Sequence, residues 1–183
     1  INFKLRHICV FSIIILMKLN KNLILIGMMA SGKSTIGRLL AKRLNLKFFD
    51  TDFIIEKKTK MKIAQIFEKK GEVKFRDLEK KITLNLLNKK RCVISLGGGA
   101  YINKTIRKVA NKKCNTIWLY WNSKTIIDRI NKKKNKRPVA SSLSDDELKN
   151  LLINRSKFYS KAKYKINCEN IEKTEIINKI IEM

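Results

Sequence analysis

Histidine is almost missing from this chain of 183 residues, in which His7 is the single copy. The four cysteines, Cys9, Cys92, Cys114 and Cys168, are never spaced as C-x-x-C, and none lies near a histidine cluster. The usual zinc-site spacings and the usual dithiol redox motif are therefore excluded. Reduced thiols are the default in the cytosol, and we expect the protein to be cytoplasmic.

Acidic residues are also scarce: 15 Asp and Glu stand against 42 Lys and Arg, which gives a formal net charge of +27. Such an excess is one indicator of nucleic-acid binding. Here the basic residues are scattered over every segment, and the abundance of Lys, Asn and Ile is typical of A/T-rich codons. We therefore expect no specific nucleic-acid partner.

Proline occurs once, at Pro138, and no repeat or linker divides the chain, so length favours one domain. From Asn22 onward short apolar runs alternate with amphipathic segments, the pattern of a parallel α/β sheet. The predicted strands cover residues 23–26, 47–49, 92–96, 116–121 and 164–167. The predicted helices cover residues 33–44, 63–70, 73–87, 104–110, 123–131, 145–162 and 175–181. Ser144 with Glu147 predicts a capping box, and Thr174 is predicted to cap the last helix.

The first residues contain an apolar run at positions 8–17 (ICVFSIIILM) that follows basic residues, as in a signal peptide. No small-residue cleavage site follows the run, and it is too short to span a bilayer, so we expect no membrane partner. Met17 stands just ahead of the first strand. We expect the natural start at Met17, residues 1–16 to be an upstream leader, and residues 17–183 to form one domain.

Residues 27–34 (GMMASGKS) match G-x-x-x-x-G-K-[ST] between a predicted strand and a predicted helix. Glycines let the backbone fold tightly, so that its N–H groups point at phosphates, and the helix N-terminus adds positive potential. Lys33 is predicted to bridge the β- and γ-phosphates, and the Ser34 hydroxyl to bind Mg²⁺. The segment predicts a site for a nucleoside triphosphate and Mg²⁺, with nucleotide contacts from Ala30, Ser31, Gly32, Lys33, Ser34 and Thr35.

The residues that are candidates for binding the acceptor form less specific sequence patterns than the phosphate loop. Asp50 and Asp52 follow the second predicted strand, where carboxylates face the same crevice as the phosphate loop, but they also fit an acidic helix start in which Asp52 is the cap. Three glycines, Gly97–Gly99, follow the third strand and indicate either a close approach to the backbone or a tight turn.

Three arginines are candidates for binding anions. Arg76 and Arg155 lie in predicted helices, where they are suited to a carboxylate but equally typical of a charged surface. Arg137 lies in the polar segment 132–143, which lacks periodicity and is predicted to be a lid loop. There its cation would be able to reach the phosphates.

Taken together, these residues resemble the shikimate kinase family from about Leu23 to the end of the chain. The resemblance rests on residues 27–41 (GMMASGKSTIGRLLA), 49–52 (FDTD) with 55–56 (IE), 66–67 (IF), 71–72 (GE), 75–76 (FR), Glu79, 96–100 (LGGGA), 137–138 (RP), Arg155, Tyr159 and Ala162. It implies a nucleoside-monophosphate-kinase-like fold of the P-loop kinase type, with three α/β/α layers and a five-stranded parallel sheet. It also implies ATP-dependent phosphorylation of the shikimate 3-hydroxyl in aromatic amino-acid biosynthesis, and we expect a monomer.

The resemblance also implies residue roles. Asp52 would contact the shikimate hydroxyls as the candidate base, and Asp50 would hold Mg²⁺ through water. Shikimate would be bound by Asp52, Arg76, Gly98, Gly99 and Arg155, the two arginines clamping its carboxylate. Lys33, Asp52 and Arg137 would be catalytic, Arg137 as the lid arginine on ATP.

The chain departs from the family pattern in three places. Ala30 replaces a usual Gly, Lys157 replaces a common Pro, and the segment from Arg129 to Arg137 is about one residue longer, so no adenine contact is assigned to Arg129. The alternatives are another small-metabolite kinase, such as a gluconate kinase, or a non-catalytic protein that binds nucleotides or nucleic acids.

Overall fold

The computed structural model of the chain describes residues 21–132 and 143–183. The predicted leader at 1–16, Met17, Arg137 and most of the predicted lid lie outside these residues. Within them, no helix is long and apolar enough to cross a membrane.

The centre of the fold is a five-stranded sheet in which every strand pair is parallel, with the order β2-β3-β1-β4-β5. Ile24 of the central strand faces Ile94 on one side and Thr116 on the other. The strands are β1 Leu23–Ile26, β2 Lys47–Asp50, β3 Cys92–Ser95, β4 Asn115–Tyr120 and β5 Tyr164–Asn167. Their bounds agree with the prediction to within one residue, and the predicted fold class is confirmed.

Helices cover both faces of this sheet. Alternate residues of β1 point to opposite faces: Leu23 and Leu25 pack with residues of α1 and α7, whereas Ile24 and Ile26 pack with residues of α3, α4 and α6. The helices are α1 Lys33–Arg43, α2 Thr51–Thr59, α3 Ile63–Leu87, α4 Lys104–Lys113, α5 Ser123–Asn131, α6 Asp145–Tyr159 and α7 Lys173–Ile181. Because both faces are covered, β1 is apolar throughout, as expected for a parallel sheet.

Helix α2 is absent from the sequence prediction. Its only buried residues are Thr51 and Ile55, one pair at helical spacing, which is too short a pattern to recognise. The helix is started by Asp50, whose side chain accepts hydrogen bonds from the N–H groups of Asp52 and Phe53. The alternative interpretation of this segment as an acidic helix start is therefore correct, but the cap is Asp50 and not Asp52.

Three other helix ends differ from the prediction by two residues or more. Helix α4 continues to Lys113, three residues beyond its predicted end. Helix α6 continues through Lys157 but ends at Tyr159, three residues earlier than expected. Helix α7 begins at Lys173 after Glu172, which makes no side-chain cap, so the predicted Thr174 cap is wrong. The capping box of α6 is confirmed: Glu147 N–H donates to Ser144 Oγ at 3.2 Å, and Ser144 N–H donates to Glu147 Oε2 at 2.7 Å.

Residues 63–70 and 73–87, predicted as two helices, form the single element α3 with a break at Gly71. Gly71 has a φ of 77° and a ψ of 165°, a backbone conformation that is essentially restricted to glycine. A Cβ at this position would meet no atom within 4 Å. The glycine is therefore required by the backbone conformation and not by space.

We expect Gly71→Ala to destabilise the protein by about 1–3 kcal/mol, because alanine strains this backbone conformation without any clash. Urea unfolding monitored by circular dichroism measures the change. Lys70→Ala, at the adjacent exposed position, is the control and should stay within about 0.5 kcal/mol of the original protein. A Gly71→Ala protein as stable as the control would contradict this account of the break.

Candidate functional site

The phosphate loop lies between β1 and α1, at the edge of the sheet where all five strands end. Gly27 and Gly32 have positive φ values of 141° and 89°, and Ala30 has a φ of 66°. Lys33, almost completely buried, donates hydrogen bonds from Nζ to the carbonyl oxygens of Gly27 at 2.9 Å and Met28 at 2.8 Å. The Lys33 side chain therefore folds back against the backbone of the phosphate loop.

Asp50 connects the end of β2 to this loop. Its Oδ2 accepts a hydrogen bond from Ser34 Oγ at 2.5 Å, while Oδ1 accepts the N–H groups that begin α2. One carboxylate thus caps a helix and contacts the hydroxyl of the phosphate-loop motif. Ser34 and Asp50, each predicted to hold Mg²⁺, are thus in direct contact with one another.

Asp52, two residues later, faces the end of β3. A Cβ placed on Gly97 would lie 2.5 Å from Asp52 Oδ1 and 2.8 Å from Glu79 Oε1, so the two carboxylates meet over this glycine. Burial, with repulsion from Asp50, raises the pKa of Asp52 to about 6, although Lys33 acts in the opposite direction. Asp52 can therefore exchange a proton close to neutral pH.

The three glycines after β3 provide space for side chains of the site. The backbone turns here, because the Ala100 N–H donates to the Gly97 carbonyl oxygen at 3.1 Å, but none of the three glycines has a positive φ, so the turn does not require glycine. A Cβ on Gly98 would lie 3.3 Å from Arg155 Nη1, and a Cβ on Gly99 would overlap the guanidinium of Arg76. The predicted close approach to this backbone is correct, and we name residues 97–99 the glycine strip.

Arg76 reaches the glycine strip from α3. Its Nη1 donates to Glu79 Oε2 at 2.8 Å, and its Nε and Nη2 donate to Glu72 Oε1 at 3.1 and 3.0 Å. The guanidinium also lies 5.8 and 5.2 Å from the ring centroids of Phe67 and Phe75. These contacts hold Arg76 at the strip, so it is not a solvated surface charge.

Arg155 reaches the strip from α6. Its Nη1 contacts Met28 Sδ at 3.5 Å, and its buried Nε has no hydrogen-bond partner among the described residues. Tyr159, one turn later, donates from its hydroxyl to the Gly98 carbonyl oxygen at 2.5 Å. Burial raises the pKa of Tyr159 to about 12, so the phenol remains a donor.

The structure therefore brings together every predicted site residue except Arg137, which lies outside the described residues. It also adds two residues to which the sequence analysis gave no role, Glu79 and Tyr159. Glu79 is 3% exposed and bonded to Arg76, and its spacing of three residues from Arg76 on one helix was the available signal. Tyr159 had no comparable signal, because its partner is a backbone carbonyl 61 residues away.

Comparisons with known proteins agree on one family. A family model described as shikimate kinase matches residues 29–183. A shikimate kinase from Sulfurihydrogenibium sp. is 38% identical over 161 residues, which are 88% of this chain and 96% of that protein. The chain belongs to the shikimate kinase family.

Solved structures of the shikimate kinase family agree with this assignment. A shikimate kinase from Acinetobacter baumannii in complex with shikimate has a TM-score of 0.83 and 32% identity, covering 90% of this chain and 92% of that one. One from Aquifex aeolicus has a TM-score of 0.78 and 37% identity, covering 88% and 94%. The chain is thus an ATP-dependent phosphotransferase with a P-loop kinase fold, and the predicted family and enzyme class are confirmed.

Ala30 is the clearest departure from the shikimate kinase pattern. Its φ of 66° lies in the left-handed region, which costs an L-residue about 1–2 kcal/mol and glycine almost nothing. The alanine therefore holds the phosphate loop in a conformation that it disfavours. Its methyl group packs against the buried residues on one face of the sheet, which gives back part of this cost.

We expect Ala30→Gly to stabilise the protein by up to about 1 kcal/mol, because relief of the strain exceeds the entropy that glycine gains in the unfolded chain. Ala41→Gly, inside α1, also removes one methyl group and should destabilise by about 1 kcal/mol or more. Thermal unfolding of the two variants tests the opposite signs. Equal destabilisation by both would show that Ala30 is not strained.

Proposed function

We propose that this protein transfers the γ-phosphate of ATP to the 3-hydroxyl of shikimate. The single observation that supports the proposal most strongly is the convergence of Asp52, Arg76 and Arg155 on the glycine strip beside the phosphate loop. This arrangement offers one base and two guanidinium groups to a small acceptor that carries both hydroxyls and a carboxylate. The shikimate kinase from Acinetobacter baumannii is in complex with shikimate, which agrees with such an acceptor.

On the nucleotide side, the proposed contacts come from residues 30–35 and Arg137. Lys33 would exchange its hydrogen bonds to the Gly27 and Met28 carbonyls for the phosphates, where its charge offsets that of the transferred group. Arg137, in the proposed lid at 132–143, would add a second cation. Both groups stabilise negative charge and need no covalent step.

Ser34 and Asp50 would hold Mg²⁺, and the residues present fit that ion. A hydroxyl and a carboxylate already in contact at 2.5 Å are hard oxygen ligands. Within the described ranges no cluster of three or more His, Cys, Asp and Glu is placed to hold a metal, which agrees with an ion bound largely by phosphates and water. When bound, Mg²⁺ supplies charge neutralisation at the phosphates.

On the acceptor side, the shikimate carboxylate would bind Arg76 and Arg155. The exposed contact between Arg76 and Glu72 is an i,i+4 ion pair worth only about 0.2–0.5 kcal/mol, so a carboxylate ligand can replace it at little cost. The buried contact with Glu79 would remain and keep the guanidinium oriented. Asp52 would accept the proton of the attacking hydroxyl.

The remaining parts of the proposal concern the whole protein. We propose that residues 17–183 form a single kinase domain, that it acts in the cytoplasm as a monomer, and that it has no specific nucleic-acid partner. The scattered basic residues support the last point. A gluconokinase from Sinorhizobium meliloti shares 11% identity at a TM-score of 0.51, a likeness of fold alone, so shikimate is favoured over gluconate.

If Asp52 is the base, Asp52→Asn should lower kcat by about 10²-fold, the lower end of the usual range, because a loose transition state needs little help from a base. The active form is the carboxylate, so kcat/KM of the unmodified enzyme should rise with pH through about 6 and then level off. The Asp52→Asn variant should show no such rise of kcat/KM with pH. Asp77→Asn, at an exposed position of α3, is the control. It should keep both kcat and the rise of kcat/KM with pH.

The substrate carboxylate can be tested with shikimate and its methyl ester as a pair. Shikimate should be phosphorylated, and the ester should be a poor substrate because it carries no charge for the arginines. Arg76→Ala should raise KM for shikimate strongly and change the reaction of the ester little, since the lost contact is absent there.

Coupled ADP-release assays with shikimate, its ester and gluconate measure these differences. Arg43→Ala is the matched control, because Arg43 lies at the other end of α1 and bonds to Asn178. An ester that reacts as well as the acid would show that the arginines bind no carboxylate, and the shikimate assignment would fail with them. Phosphorylation of gluconate in place of shikimate would favour the alternative kinase.

A further inference from the structure

Trp121, the residue after β4, makes a direct contact with the phosphate loop. Its indole Nε1 donates a hydrogen bond to the Ser31 carbonyl oxygen at 3.0 Å, across 90 positions of sequence. The ring is half-buried and packs against the hydrophobic residues on both faces of the sheet. The contact therefore connects the phosphate loop at Ser31 to the end of β4.

The orientation of the Ser31 carbonyl controls a donor of the loop. In a planar trans peptide the C=O and the following N–H point in opposite directions, so holding the Ser31 oxygen towards Trp121 turns the Gly32 N–H away from it. Ser31 lies between Ala30, with a φ of 66°, and Gly32, with a φ of 89°. Alanine disfavours this left-handed conformation and glycine readily adopts others, so neither neighbour by itself holds the peptide in place. A side chain that fixes this peptide preorganises the loop for phosphate.

The ring of Trp121 also contacts a cation. The guanidinium carbon of Arg129, on α5, lies 3.5 Å from the centroid of the Trp121 ring. The turn that carries the indole is itself held: Asn122 N–H donates to Glu169 Oε1 at 2.7 Å, and Thr125 Oγ1 donates to Glu169 Oε2 at 3.1 Å. Contacts with α5 and with Glu169, just after β5, thus hold Trp121 in place, while its indole N–H bonds to the phosphate loop.

We propose that Trp121 is a positioning residue of the nucleotide site, which holds the Ser31–Gly32 peptide for phosphate binding and Arg129 beside the loop. This inference rests on the proposed binding of ATP to the loop. Trp121 acts on the reaction through the loop backbone and need not touch the acceptor. Its loss should therefore affect ATP and leave shikimate unaffected.

Two substitutions separate the two contacts. Trp121→Phe keeps a ring for Arg129 but removes the N–H, and should raise KM for ATP about three- to tenfold, the range expected for loss of one hydrogen bond. Trp121→Leu also removes the aromatic surface and should raise it further. In both variants KM for shikimate should stay within about twofold of the original value, since preorganisation of the loop concerns nucleotide binding.

The matched control is Trp118→Phe, in β4, the strand that Trp121 follows. Trp118 is the other of the two tryptophans, is 6% exposed, and makes no hydrogen bond to the phosphate loop within the described residues. Loss of its indole should change KM for ATP less than Trp121→Phe does. Melting temperatures of all variants show whether any effect on KM follows from reduced stability.

Fluorescence gives a readout that does not depend on turnover. In the Trp118→Phe protein, Trp121 is the sole tryptophan, and its emission should change when ATP is added and stay constant when shikimate is added alone. An unchanged KM for ATP in a folded Trp121→Phe protein, or an equal rise in KM for both substrates, would overturn the proposal. Failure of the proposed function is a different result, namely no shikimate-dependent ADP release by the unmodified protein.

Discussion

The rest of the site depends on the lack of side chains along the glycine strip. Asp52, Glu79, Arg76 and Arg155 occupy space that a Cβ on one of its three residues would approach or overlap. These four groups come from α2, α3 and α6 and approach the strip from three different elements. Tyr159 anchors the strip itself by bonding the Gly98 carbonyl. A methyl group at this edge would separate the charges that the reaction needs together.

The pairing of charges at the strip explains how Asp52 retains its basicity. The ion pairs of Arg76 are with Glu72 and Glu79, and not with Asp52. A carboxylate next to an arginine normally has a lowered pKa and is a weak base. Burial has the largest effect on Asp52, and repulsion from Asp50 and Glu79 adds to it, so that its pKa is raised to about 6. Glu79 thus pairs with Arg76 and also favours the protonated form of Asp52.

The sequence predicts those parts of this arrangement that depend on local pattern. The phosphate loop has a fixed spacing, and the buried strands are continuous apolar runs, so the motif and the sheet follow directly. Contacts between distant segments leave no such pattern. The bond from Trp121 to Ser31 depends on tertiary packing. The break at Gly71, by contrast, is predicted from the sequence as the gap between two helices. Residue roles at the glycine strip were accessible through family resemblance, whereas the structure alone supplies the partners that hold them.

Asp50 and Asp52 make different contacts, which shows why their spacing in the sequence is insufficient to predict where each carboxylate lies. Two residues apart on a strand, both carboxylates would lie on one face of the sheet. The strand instead ends at Asp50, and α2 begins at Thr51, so the second carboxylate follows the rotation of a helix, about 100° per residue. Thr51 fixes this change of direction, because its Oγ1 accepts the Gly97 N–H at 2.7 Å.

Asp50 consequently stays beside Ser34, and Asp52 is carried to the glycine strip. The change from strand to helix between them separates a carboxylate suited to the metal from one suited to the acceptor. Since the same Asp50 side chain starts the helix, the carboxylate proposed to hold the metal also determines where Asp52, the proposed base, is placed. The nucleotide and acceptor sides of the site are therefore linked through three consecutive residues.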